Sequence, residues 1–197
     1  MPRGPVRDVE DVRADVIAAT EKLMIEHGVR AVRLRDVIRH SGVSNGQLYG
    51  AFASLDEAIT MVNGKTLRRL EERLVREVKE SDPVNRLVEF ARLYLAFARD
   101  ETPLWRALFD YAPQEEGAID ADLRADQERL FEYPAASLAE LYPDLGEAGV
   151  LLRARTLFSA VHGVVSISLE SRYAGVTVER LEEELVGLVR AAIAGYA

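Results

Sequence analysis

Residues 33–52 constrain the fold of this 197-residue chain more than any other stretch. A short amphipathic segment with Leu34, Val37 and Ile38 runs into Ser41-Gly42-Val43-Ser44. A second short segment then runs to Tyr49 and Phe52. Gly42 permits the sharp turn, because only glycine takes a positive φ cheaply. Val43 is the apolar turn residue that pins the two helices together. Ser44 can cap the second helix through its hydroxyl. The pattern reads as a helix-turn-helix, a motif whose second helix enters a DNA major groove with its N-terminal residues foremost.

The rest of the chain reads as all-α, about nine helices in total. Val9, Val12, Val16, Ala19 and Leu23 recur at three- and four-residue steps, predicting a first helix over about 8–27, ended by Gly28. Ser54 caps a fourth helix with Asp56 and Glu57 in its first turn, where the helix dipole favours acids. Ile59, Val62, Leu67, Leu70 and Leu74 carry that helix towards Glu80. Gly64 inside it is either a bend or an ordinary tolerated glycine. Asp82-Pro83 opens a fifth helix through Arg99, and Thr102-Pro103 a sixth. Pro113–Gly117 reads as a loop. A seventh helix spans about 118–141, interrupted or kinked near Tyr133-Pro134. Pro143–Gly149 reads as a turn, and an eighth helix spans about 147–173. Thr177 caps a ninth. No alternation worth a strand and no repeat is present.

The residues 13–61 resemble the N-terminal domain of TetR-family transcriptional regulators. The markers are Ile17-Ala18-Ala19, Leu23, Gly28, Asp36-Val37-Ile38, Ser41-Gly42-Val43-Ser44, Gly46, Leu48-Tyr49, Phe52, Ser54, Glu57 and Ile59, in order and without a gap. The pattern departs at Leu55, where the family usually has Lys, at Val32-Arg33, at Ile38 and at Gly50. The resemblance implies a DNA-binding head over 8–53 and a ligand-binding and dimerisation body over 54–197. It implies a homodimer on a palindromic operator in double-stranded DNA, released by a small-molecule effector whose identity the sequence does not give. It implies a repressor. The alternative is a dimeric small-molecule-binding protein of the same fold with weak or lost DNA binding.

Net charge is −8, which by itself argues against nucleic acid. Its distribution matters more. Residues 1–64 carry 8 Lys/Arg and 9 Asp/Glu, net −1, while residues 65–197 carry 17 and 24, net −7. Arg30, Arg33, Arg35 and Arg39 cluster around Asp36 alone. They either serve phosphates or form a solvated face. There is no cysteine, hence no disulfide framework and no thiolate chemistry. The first residues are too polar for a signal peptide. No apolar run approaches the roughly 20 residues of a membrane span. These readings fit a cytoplasmic protein without a membrane partner.

Candidate DNA-binding residues are Arg33, Arg35, Ser44, Asn45, Gly46, Gln47 and Tyr49. Asn45 and Gln47 carry amides that pair bidentately with adenine. Gly46 allows close approach, and Tyr49 suits a phosphate. Asn45 and Gln47 are otherwise plain exposed polar residues. Leu48 and Phe52 should point inward onto Val16, Val37 and Val43.

The eighth and ninth helices are wide in apolar surface. Leu157, Val161, Val164, Val165, Leu181, Leu185, Leu188 and Ala192 are the candidate dimer contact; burial within one subunit is the alternative. Phe90, Tyr94, Trp105, Phe109, Phe131 and His162 are candidates for a ligand pocket, or for an ordinary core. His162-Gly163 matches two of the three residues of a Trp-His-Gly motif found in a subgroup of the family. Catalysis finds no support: the histidines lack metal-ligand spacing, and no cofactor, metal or enzymatic activity is expected.

Overall fold

The computed structural model describes residues 8–112, 121–170 and 175–195, and among them only helices and turns occur. The expected loop over Pro113–Gly117, the start of the seventh helix and the end of the eighth lie outside the described residues. The chain divides into two compact units. One comprises Met1–Arg68 with Glu101–Arg124, the other Arg69–Asp100 with Ala125–Ala197.

In the first unit, α1 (Val9–His27) starts where the Asp8 carboxylate accepts the Glu10 N–H. It ends at Gly28, whose φ of 78° is in the range that favours glycine. A single 3-10 turn, Val29–Ala31, leads to α2 (Leu34–Ser41) and α3 (Asn45–Ala51). The unit also holds the first part of α4 (Leu55–Glu77) and all of α6 (Thr102–Asp110). Val12, Val16, Leu23, Met24, Val37, Val43, Leu48, Phe52, Ile59 and Val62 form one core, as the spacing required. Each such side chain contributes about 1.5–3 kcal/mol by leaving water. Leu104 and Ala107 of α6 join this core, a tertiary pairing the sequence pattern did not reveal.

The second unit contains the end of α4, α5 (Pro83–Asp100), α7 (Ala121–Leu141) from Ala125 on, α8 (Gly146–Leu169) and α9 (Leu181–Gly195). α5 packs on α9 and α8, and α8 packs on α9. α7 runs on through Pro134. The segment 143–149 is mostly helical, not an open turn: Pro143–Leu145 makes a 3-10 turn and α8 begins at Gly146. α9 begins at Leu181. Thr177 caps a preceding turn, its carbonyl accepting the Arg180 N–H at 3.0 Å. α4 is unbroken through Gly64 and stops at Glu77.

The stretch Pro143–Leu169 is apolar and long enough, by composition, to cross a bilayer. The uncharged run within it, residues 156–169, still falls short of a span. Arg153 and Arg155 interrupt the apolar run, but small and branched residues around them keep the mean hydropathy high. Only 28% of its most apolar window is buried within the chain.

Candidate nucleic-acid interface

The turn between α2 and α3 is built as the sequence requires. Gly42 adopts φ 68°, ψ 10°, and its N–H closes α2 on the Ile38 carbonyl. Val43 is buried. Ser44 then opens α3 with a reciprocal capping box. Its hydroxyl accepts the Gln47 N–H at 3.3 Å, and Gln47 Oε1 accepts the Ser44 N–H at 2.9 Å. Two otherwise orphaned donors are satisfied at once. The far end is rooted by Leu48 and Phe52, 1% and 2% exposed. The opposite face carries Asn45, Gly46 and Tyr49 into solvent, Tyr49 at 61% exposure.

The capping box changes the assignment of Gln47. A bidentate amide contact needs both Oε1 and Nε2, and Oε1 is held by Ser44. The signal was present in the sequence, as Ser followed three residues later by Gln. Asn45 has no such engagement. Around Gly46 an added Cβ meets nothing within 4 Å, so the fold itself does not require glycine there.

Basic groups flank the helix. Arg33 occupies the cap position of α2 with its side chain exposed, donating through Nη1 to the carbonyls of Arg30 and Val32. Arg35, 86% exposed, and Arg39 both approach Asp36, at 3.7 and 3.1 Å. Such exposed pairs hold side chains weakly, worth about 0–1 kcal/mol, so they yield readily to a phosphate. Four arginines against one aspartate leave this edge positive.

Sequence reasoning missed Arg13. Its guanidinium donates to the Ala51 carbonyl, pairs with Glu57 at 3.0 Å and lies 4.4 Å above the Phe52 ring. Glu57 in turn accepts the Ala53 N–H at 2.7 Å, while Ser54 accepts that of Glu57. One arginine of α1 thus ties down the end of α3 and the start of α4. Leu55, where a lysine was expected, is half-buried against the head core and not displayed to solvent.

The six pocket candidates divide between the two units. Trp105 and Phe109 belong to the first unit, where their rings meet edge to face at 5.8 Å; Trp105 is core and Phe109 is 46% exposed. Phe90 pairs with Tyr133. Tyr94, Phe131 and His162 do converge, with Phe158 as their hub. Phe158 lies 5.4 Å from Tyr94, 5.3 Å from Phe131, and stacks on His162 at 5.8 Å. Phe158 was read only as part of the apolar run of the eighth helix. Tyr94 Oη and His162 Nδ1 are hydrogen-bonded at 2.7 Å. Burial pushes the His162 pKa down, so the ring is neutral at pH 7. No group of three or more acids and histidines placed to hold a metal occurs among the described residues.

Five of the eight dimer candidates are buried inside the single chain: Leu157, Val161, Val165, Leu181 and Leu185. Their three-four stripe packs α8 and α9 within the second unit, the alternative left open by the sequence. Val164, Leu188 and Ala192 are half-buried. Past its first turn, α8 exposes Leu152, Arg155, Thr156, Ser159 and Ile167, with Gly163 half-buried, and α9 exposes Gly187, Arg190 and Ala191. Leu152 is 66% and Ile167 51% exposed.

Comparison with known proteins decides the family. Residues 16–57 match the family described as bacterial regulatory proteins, tetR family, and residues 87–192 match the tetracyclin repressor-like C-terminal domain. The chain belongs to the TetR family. It is therefore assigned to a family of DNA-binding transcriptional regulators. A TetR-family transcriptional regulator from Syntrophomonas wolfei has the same fold, with TM-score 0.69 and 17% identity over 96% of this chain and 98% of that one. BioQ, solved with its double-stranded DNA operator, aligns at TM-score 0.65 and 19% identity over 92% and 98%. RolR, solved with resorcinol, aligns at TM-score 0.65 and 17% identity over 93% and 88%. No curated protein matches the chain in sequence.

Proposed function

We propose that this TetR-family member is a homodimeric repressor that leaves a palindromic operator when a small molecule binds its body. The observation that carries the reading is α3: capped at Ser44, rooted by Leu48 and Phe52, and presenting Asn45, Gly46 and Tyr49 outward. Asn45 reads a base edge, Tyr49 and Arg35 position the helix on phosphates, and Arg33 adds a backbone contact. Gln47 holds the cap.

The second copy docks on the outward face of α8 and α9. A helix this apolar with so few residues fully buried in its own chain suits a cover. Thr156 and Ser159 turn their hydroxyls back on their own helix, to the carbonyls of Leu152 and Arg155, and so leave that face dry. Gly163 and Gly187 have open space where a Cβ would stand, which lets a partner helix approach closely. The dimer sets two recognition helices about 34–36 Å apart, one DNA turn. The effector is an apolar molecule with one hydrogen-bonding group, held by Phe131 and Phe158 and by the Tyr94–His162 pair. RolR, with resorcinol bound, supports this class of occupant. The effector shifts the dimer off DNA only by its differential affinity for the two states. The setting is cytoplasmic.

Fluorescence anisotropy tests the reading, with DNA from the region upstream of the protein's own gene, at several salt concentrations, beside an Asn45→Ala/Tyr49→Ala variant. Binding that resists competitor DNA, weakens with salt and is lost in the variant supports it. Equal binding by the variant overturns the assignment of α3.

A further inference from the structure

A recess lies in the head unit. It occupies about 540 Å³ at the junction of the end of α1, the Val29–Ala31 turn and α6. That volume falls within the range of small-molecule sites, about 300–1,000 Å³. Its floor is apolar: Val29 and Ala107 are buried core residues, and Pro103 stands beside them. Its rim is basic. Arg30, Arg33 and Arg106 line it against the single carboxylate of Asp110, an excess of two positive charges apart from His27. This stands in a chain of net charge −8.

The rim arginines are set up for an anion. No carboxylate among the described residues lies within ion-pair distance of Arg30 or Arg33. Arg33 spends Nη1 on two backbone carbonyls, which fixes its guanidinium and leaves the other donors of its fork. Guanidinium groups present planar, bidentate donors matched to carboxylate and phosphate. A bare inorganic anion would use the rim and leave the apolar floor wet. A DNA phosphate would use the rim without entering the recess. We propose that this recess binds a small amphipathic organic anion, its apolar body on Val29, Pro103 and Ala107 and its acid group on Arg30, Arg33 and Arg106.

A consequence rests on the DNA reading given above. Arg33 serves both the recess and the proposed DNA backbone contact, so an occupant competes with DNA. Binding itself does not depend on that reading.

The test is a titration of the full-length protein with octanoate and with 2-naphthoate, followed by amide NMR. The expected result is saturable shifts of the Val29, Arg30 and Ala107 signals, absent with octylammonium. Arg30→Gln, at an exposed position, should weaken binding about tenfold while leaving the rest of the spectrum in place. Shifts confined to Tyr94 and His162, equal shifts with octylammonium, or unchanged affinity in Arg30→Gln would overturn the site. The same shifts with inorganic phosphate at equal concentration would overturn the amphipathic ligand class. In a second arm, octanoate should weaken operator binding by the wild type and much less by Arg30→Gln. Failure of that arm alone, with the NMR shifts present, removes the competition and leaves the site.

Discussion

Two helices of this chain are exposed for opposite reasons. α3 has 7 residues, too few to hold together alone, and is kept by a capping box, a buried Leu48 and Phe52, and Arg13. What it shows to water is polar. α8 has 24 residues and needs no such bracing, yet it shows water Leu152, Ile167 and a track of small residues. A short helix held so firmly with a polar face outward suits a polar, grooved partner such as DNA. A long apolar face left open suits another copy of itself. On the proposed reading, the contrast separates DNA recognition from assembly within one chain.

The sharpest way to break the comparison is to uproot α3. Phe52→Ala should cost about 3–5 kcal/mol of stability, seen in chemical denaturation, with operator binding lost. Sedimentation should still show a dimer wherever the protein remains folded. Gly163→Leu attacks the other side. Space around Gly163 is open within one chain, so the fold should survive. Overpacking of about 1–3 kcal/mol should weaken the dimer by about fivefold to a hundredfold by sedimentation equilibrium. If the variant stays dimeric, the contact lies elsewhere.

Ser44→Ala removes half the capping box and should cost about 1 kcal/mol, measured by thermal melting. Gly46→Ala sharpens the comparison by separating fold from reading. Alanine at this open helical position should stabilise by at most about 1 kcal/mol, while its methyl obstructs the groove and weakens operator binding in anisotropy. A gain in both would show that DNA does not approach Gly46.

The smallest effect concerns pH. The folded His162 binds a proton less readily than an unfolded histidine. The unfolded chain therefore takes up more protons as pH falls below the ordinary histidine range, near pH 6.5, and stability drops there. His162→Gln should flatten this part of the stability–pH curve. An unchanged slope would assign the effect to other groups.

The head was legible because its determinants are local. Ser44 three residues before Gln47, Gly42 at a positive φ, and apolar steps at Val12, Val16 and Leu23 each specify structure within a turn or two. The body was less legible. A stripe such as Leu157, Val161 and Val165 reads the same whether it faces its own subunit or another, since periodicity gives a face and not its partner. The aromatic set shows a related limit: Trp105 and Phe109 resemble Tyr94 and Phe131 in sequence but fold into the other unit. Arg13 was invisible because its partners, Ala51 and Glu57, lie 38 and 44 residues away.

The central claim is that two copies of α3 read a palindrome. Selection from random double-stranded DNA by the wild-type protein tests it most directly. The account predicts enrichment of one sequence with dyad symmetry, its half-sites about one helical turn or a multiple apart, and no enrichment by Asn45→Ala/Tyr49→Ala. Sequences without symmetry, or the same sequences enriched by the variant, would contradict it.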